Sequence, residues 1–312
     1  MRVLSHPRTD LGRRERCVVV NPLISVVMPV FNCEATLAIA TRSILGQSCA
    51  DFELLILDDG STDKTVQVAH AFVDSRVRVI ADSSGNRGLA SRLNQGVDLA
   101  RGRYIARMDG DDISFPLRLQ RQVEFLESNP EIDLVGCSMV IFKGAGELVG
   151  LQPARTRHDE ICGNFLRSCL LPHATWMGRT NWFRTYRYDP SHHRAEDREL
   201  LLRTRNCSQF AGIPEAMYAY RVNGVSARKN AIARYEYLRS VLADARSRKE
   251  WFRFLGAGAA ELAKLAIDSA AIATHSDRFW LRHRARTLCD PHMIGLWRGV
   301  WSSLQGPVTV VC

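Results

Sequence analysis

The sequence predicts an α/β fold, a mostly parallel sheet flanked by helices and followed by a helical C-terminal extension. Three observations carry that expectation. "LISVVMPV" (23–30) is an unbroken, β-branched apolar run, as expected of a strand buried on both faces. Strand-like and helix-like runs then alternate up to Met108, the pattern of right-handed βαβ units. Finally, "PVFN", "DDGS" and "MDGDD" each fall at the end of a predicted strand, where parallel sheets bind ligands.

The elements follow in order. After "FNCEATL", Leu37, Ala40, Ile44 and Leu45 recur at helical spacing. "FELLILDD" (52–59) is a second strand that ends in acid, and "STDKTVQVAHAF" opens on Ser61 or Thr62 as a helix cap. "VRVIA" (77–81) is a third strand, "GLASRLNQGVDLA" (88–100) a helix and "RYIARM" (103–108) a fourth strand. "LRLQRQVEFLESN" (117–129) is an amphipathic helix stopped before Pro130, and "IDLVGCSMVIF" (132–142) is another strand. Residues 150–225 are irregular, with turns and short helices around "LPHATWMGR" and "RAEDRELLLRT". From about residue 228 the chain reads as helices, with Gly256 and Gly258 as weak points.

Composition narrows the class. A chain of 312 residues with 46% hydrophobic content can bury one large core or two modest ones. It has no apolar run of about 18 residues, so no transmembrane helix is expected, and its basic N-terminus lacks the features of a secretory signal. The nine cysteines have no close CxxC spacing and read as small buried hydrophobes in a reducing cytoplasm. The net charge of +9 sits at the two ends. Residues 1–22 carry five basic and two acidic side chains and residues 226–312 fourteen and seven, which leaves the middle nearly neutral.

Several stretches carry chemistry. "DDGS" alone is an ordinary turn; at a strand end, Asp58 and Asp59 can accept hydrogen bonds from a base or ribose. "RMDGDD" crowds Asp109, Asp111 and Asp112 around a small Gly110. A helix cap explains one of these acids; Mg²⁺ or Mn²⁺ arriving with a phosphate-bearing substrate explains the crowd. Phe31 stands past the first strand as a stacking platform or a core side chain. Glu196 and Asp197 open a helix, as dipole partners or as a base for an acceptor hydroxyl. The chain has no GxGxxG, GxxxxGK[ST] or GxSxG, so dinucleotide, P-loop and hydrolase chemistry lack their signals.

"SVVMPVFNCEATL", "LILDDGSTDKT", "GNRGLASRLNQG", "RYIARMDGDDISFPLRLQRQ", "LPHATWMGR" and "AEDRELLLR" occur in an order that resembles the family 2 glycosyltransferases of GT-A (Rossmann-like) fold, over residues 23–220. The resemblance implies that Pro29, Phe31, Asn32, Glu34, Asp58, Asp59, Arg92 and Asp109 serve the nucleotide-sugar, with Phe31 on the base and Asp109 toward the ribose. It puts Asp111, with Asp109 and Asp112, on Mg²⁺ or Mn²⁺, makes Asp197 the base and Glu196 its assistant, and leaves His173 and Trp176 on the acceptor side. It further implies inversion at the anomeric carbon and a UDP-sugar donor. The acceptor would be a glycan or lipid-linked glycan of the bacterial cell surface.

The expected organisation is a basic N-terminal extension (1–22), a catalytic domain (23–225) and a helical region (226–312). The catalytic domain divides into a nucleotide half (23–142) and an acceptor half (143–225). In the helical region Trp251, Phe252, Phe254, Phe279, Trp280, Trp297 and Trp301 sit among arginines, which suits either contact with an anionic membrane or a helical subdomain packed on the core. The expected location is cytoplasmic, at the inner face of the plasma membrane. Two rivals are weaker. A metal-dependent nucleotidyltransferase would need a basic, glycine-rich triphosphate loop that "FNCEATL" lacks. A nucleic-acid-binding protein is suggested by the pI of about 9.3 but opposed by the neutral middle, and no nucleic acid is expected as a partner.

Overall fold

The computed structural model describes residues 21–81, 85–163, 171–222, 227–249, 251–273 and 287–305. Its centre is one mixed sheet. Strands β1 (Ile24–Val30), β2 (Phe52–Asp58), β3 (Val77–Ala81) and β4 (Tyr104–Arg107) form the expected parallel half, in the order β3-β2-β1-β4. Beyond them come β5 (Ile113–Ser114), β6 (Leu134–Lys143), β7 (Glu147–Gln152), β8 (Met177–Arg179) and β9 (Phe210–Arg221). Here β8 joins β4 antiparallel, β6 follows β8 antiparallel, β9 runs parallel to β6, and β5 closes the edge antiparallel.

Alternation of side chains along the parallel strands separates two apolar layers. Ile24, Val26, Met28, Leu54, Ile56, Tyr104 and Ala106 face one layer, while Val27, Leu55, Leu57 and Ile105 face the other. Helices α1 (Leu37–Leu45), α2 (Thr65–His70) and α4 (Arg118–Ser128) cover the first layer, and α3 (Leu89–Leu99), α5 (His158–Cys162), α6 (Thr180–Thr185) and α7 (Glu196–Thr204) cover the second. Pro29 is tolerated in the central strand because β4 pairs with β1 only as far as Val27. The chain of "MDGDD" turns away there, so the missing amide costs no ladder bond on that side.

Several local expectations change. Helix α2 begins at Thr65, not at Ser61 or Thr62, and Asp63 Oδ1 accepts the Thr65 amide and hydroxyl. Ser61 and Thr62 instead bond to Asn32 across the crevice. The cysteines are not uniformly buried: Cys137 and Cys162 are, Cys33, Cys49 and Cys289 are half-buried, and Cys207 is exposed.

After residue 226, α8 (Ala227–Arg248) and α9 (Trp251–Ala273) form a helical hairpin, and α9 runs straight through Gly256 and Gly258. Tyr237, Val241 and Ala257 pack against Ala195 and Leu202 of the α7 region. Helix α10 (Pro291–Leu304) is capped by Asp290, whose Oδ1 accepts the Met293 amide. Two of the aromatics among the arginines follow the second alternative and pack on the core. Trp297 is buried on Phe142 at 4.8 Å between centroids, and Trp301 meets the same ring edge-on at 5.7 Å. Phe279 and Trp280 lie outside the described residues, as do the side chains of Phe252 and Phe254.

Truncating Trp297 removes the anchor between α10 and the sheet, including its Nε1–H donation to the Gly146 carbonyl at 2.8 Å. Trp297→Ala is expected to lower the unfolding free energy by about 3–5 kcal/mol in a denaturant titration.

Candidate active site

The crevice opens at the carboxyl ends of β1, β2 and β4. Asn32, in the left-handed region at φ 51°, accepts the Thr62 amide on its side chain at 2.9 Å and donates its own amide to Ser61 Oγ at 2.9 Å. Glu34 accepts the Lys64 amide at 2.8 Å, so it braces the turn into α2. Phe31 is 47% exposed, an unpaired aromatic face on the crevice side of this brace.

Asp58 and Asp59 divide their work. Asp58 accepts the amides of Gly60 and Ser61 and holds the turn. Gly60 sits at φ +78°, and a Cβ there would lie 2.8 Å from the backbone of Gly85. Asp59 accepts the amides of Arg87 and Gly88 at 2.8 and 3.0 Å and the Nε of Arg92 at 2.9 Å. Arg92 has no exposed surface and also reaches the Gly85 carbonyl. It is a buried brace for the loop.

The acidic loop is organised by arginines. Arg107 grips Asp109 with both terminal nitrogens at 2.8 Å, a bidentate pair in which the guanidinium is almost fully buried. Burial alone would favour the neutral guanidine, but the Asp109 charge outweighs it and keeps Arg107 firmly cationic. Burial, and then repulsion from Asp109, push the Asp111 carboxyl up to about 6. Asp112 is entirely buried, its Oδ1 accepts the Arg221 amide at 2.7 Å, and its Oδ2 has no partner. Burial and then its two acidic neighbours raise Asp112 well above the usual carboxylate range. Without exposed surface, it braces the loop through the Arg221 amide.

Across the crevice, Glu196 and Asp197 begin α7. Glu196 is buried with Oε2 unpartnered, while Oε1 lies 3.7 Å from His173 Nδ1. Burial and the neighbouring Asp197 push Glu196 up to about 8. Asp197 keeps part of its surface, and burial raises its carboxyl against the pull of Arg198. Burial, reinforced by Arg107, holds His173 neutral, and its Nε2 lies 3.0 Å from the Tyr188 hydroxyl. Trp176 has no exposed surface and donates Nε1–H to the Leu171 carbonyl, so it packs in the core beside His173.

Arg107 was not anticipated as a functional residue, although it lies inside "RMDGDD". Its charge bears on Asp109 and Asp111 and equally on Glu196, Asp197 and His173. The signal was present: residues two apart on a strand share a face, and a charged side chain ending a buried strand needs a partner. Arg221, which donates Nε–H to the Asp111 carbonyl at 2.7 Å, lay 110 residues away and left no such signal.

Among the described residues, no three His, Cys, Asp or Glu side chains converge as a ready-made metal cage. The donor set fits a hard divalent cation that takes one or two carboxylates here and completes its shell from a substrate. Asp111 fits that part, since a cation would relieve the repulsion that raises it, and Asp109 stands beside it in the grip of Arg107.

A family model described as "Glycosyl transferase family 2" matches residues 25–193. The chain belongs to that family. It is 38% identical over 209 residues to EpsE of Bacillus subtilis (strain 168), by name a glycosyltransferase, covering 64% of this chain and 73% of EpsE. It is 30% identical over 220 residues to the O-antigen biosynthesis glycosyltransferase WbnJ of Escherichia coli, covering 69% and 85%. WfgD of Escherichia coli, named as a UDP-Glc:alpha-D-GlcNAc-diphosphoundecaprenol beta-1,3-glucosyltransferase, is 36% identical over 150 residues, covering 47% and 58%. Two solved structures share the fold. Staphylococcus aureus TarS 1–349 with UDP has a TM-score of 0.55 at 20% identity and covers 70% of this chain and 65% of its own. Glucosyl-3-phosphoglycerate synthase of Mycobacterium tuberculosis with Mn²⁺ and UDP has a TM-score of 0.52 at 23% identity and covers 71% and 79%. The glycosyltransferase family match ends at residue 193, short of the acid pair on α7.

The raised carboxyls make this glycosyltransferase pH-sensitive. For Glu196 the folded state holds a proton up to about 8, whereas the unfolded chain releases it near 4.5, so stability falls as pH rises between those values. In metal-free buffer, unfolding midpoints are expected to drop from pH 5 to pH 8, and Glu196→Gln should flatten that slope and raise the midpoint at pH 8.

Proposed function

We propose that the protein transfers a sugar from a nucleotide-sugar, a UDP-sugar, to a hydroxyl of a glycan or lipid-linked glycan in bacterial cell-surface polysaccharide synthesis. The observation that carries this reading is geometric: Arg107, which forks onto Asp109, donates its amide to the Trp176 carbonyl at 2.8 Å, and Glu196 lies 3.7 Å from His173 in the same segment. This proximity supports reading the acidic loop and the acid pair as the donor and acceptor sides of one crevice. The names of WbnJ and WfgD support the setting, and the nucleotide bound in TarS supports the donor class.

Phe31 offers its open face to the base, and Asp109, oriented by Arg107, meets the ribose side. Asp111 is the residue that would hold Mg²⁺ or Mn²⁺, and the bound ion would offset charge on the departing diphosphate. Asp197, its carboxyl made more basic by burial, takes the proton of the acceptor hydroxyl. The freed oxygen forms its bond to the anomeric carbon while the bond to the diphosphate breaks on the opposite face, so one displacement inverts the configuration. Glu196 and neutral His173 form the wall behind that base.

No helix among the described residues is long and apolar enough to cross a membrane. A lipid-linked acceptor therefore places the work at the inner face of the plasma membrane through peripheral contact.

The test is a screen of UDP-, GDP- and dTDP-sugars for Mn²⁺-dependent binding and turnover. Asp111→Ala is expected to abolish the metal dependence of donor binding. Asp197→Asn is expected to lower kcat by about 10²–10⁴-fold while donor affinity stays unchanged. If no donor responds to metal, or Asp197→Asn turns over at the wild-type rate, the reading fails.

A further inference from the structure

The α8–α9 hairpin sorts its side chains by charge. Its acids whose side chains are described are paired, with the body of the protein or across the hairpin. Glu236 accepts the Arg194 amide, Asp244 pairs with Arg205, and Glu261 takes Arg198, Arg234 and Lys264 together. The outward side is different. On α8 and the turn that follows it, Arg239, Arg246 and Lys249 are exposed, next to Ile232 and Tyr235. On α9, Trp251, Leu255 and Leu262 are 50%, 67% and 65% exposed, Ile267 is exposed as well, and the exposed positions among them are alanines. At 3.6 residues per turn these positions form an apolar stripe roughly 160° wide, with Glu261 and buried Ala257 on the opposite side.

We propose that the outer face of this hairpin docks on an anionic lipid surface. An apolar helical stripe bordered by exposed basic groups, with the acids withdrawn, matches the interface of a bilayer with negative headgroups. A second copy of the chain would bring the same basic groups against one another. The purpose of docking rests on the lipid-linked acceptor proposed above, but the binding itself does not. Helix α9 also carries Glu261, which grips Arg198 at 3.1 Å, and Arg198 is the chain neighbour of Asp197. The docked helix is thus the one that steadies the acid pair.

The experiment uses the full chain with phosphatidylcholine vesicles, with and without phosphatidylglycerol, in a co-sedimentation assay, with light scattering run in parallel. The wild type is expected to partition onto the anionic vesicles and to be released by added salt. Replacing Leu255 and Leu262 together by Glu should weaken partitioning at least tenfold. Arg246→Gln with Lys249→Gln should weaken it by roughly fivefold per residue. Both leucines are largely exposed, so cooperative melting is expected to persist; if it does not, the Gln pair alone decides. Equal partitioning on both vesicle types, or no loss in the variants, overturns the proposal. So does a wild-type dimer that the Glu pair turns into a monomer without any vesicle binding. Turnover of a soluble donor, measured on the same samples, reports separately on the transferase reading.

Discussion

Arg107 carries a buried positive charge at the point where two groups of carboxylates approach each other, and the arrangement of the site follows from that balance. A guanidinium withdrawn from water must be paired, and Asp109, two residues past the end of β4, supplies a fork-to-fork partner. With that pair closed, the loop still holds Asp111 and Asp112, both raised by burial and then by their acidic neighbours. On the other side burial again comes first: it raises Glu196 together with the charge of Asp197, and it raises Asp197 against the pull of Arg198.

The scaffold spends its side chains on keeping this charge in place. Arg118, fully buried, donates to the carbonyl of Arg107 and lies over the ring of Tyr218, whose hydroxyl accepts the Asp109 amide. Arg221 ties the Asp111 carbonyl and the Asp112 carboxylate to the end of β9 and covers Phe142, the ring on which Trp297 and Trp301 pack. The far helices α8 and α9 hold α7 through Glu236, Asp244 and Glu261. The C-terminal helices therefore support the site from both ends, α10 through the sheet and the hairpin through the helix that bears the acids.

Much of this was legible in local pattern. The continuous apolar strands, the helical spacing of Leu37, Ala40 and Ile44, and the polar stretches at three strand ends all depend on neighbours within a few residues. Features that depend on distant partners were not legible. "STDK" reads as a helix cap, yet Ser61 and Thr62 serve Asn32 some thirty positions earlier in the chain. Trp297 beside Arg298 reads as an interfacial aromatic, yet it fills the core against Phe142. Adjacency in sequence does not say which side of a helix meets the sheet.

The sequence by itself determined the main strands and helices up to residue 142, and that three acidic or polar loops lie at the carboxyl ends of the parallel strands, whereas β8 and β9 fall in a stretch that reads as irregular. Those properties come from side-chain periodicity, which is a local quantity. The tertiary structure decided which partners those acids meet. Asp59 pairs with Arg92, Asp109 with Arg107, and one oxygen of Asp112 accepts the Arg221 amide, while burial raises Asp111 and Asp197. A carboxylate's charge and reach are set by burial and by whichever cation the fold brings near, and here several of those partners lie tens to more than a hundred residues away along the chain.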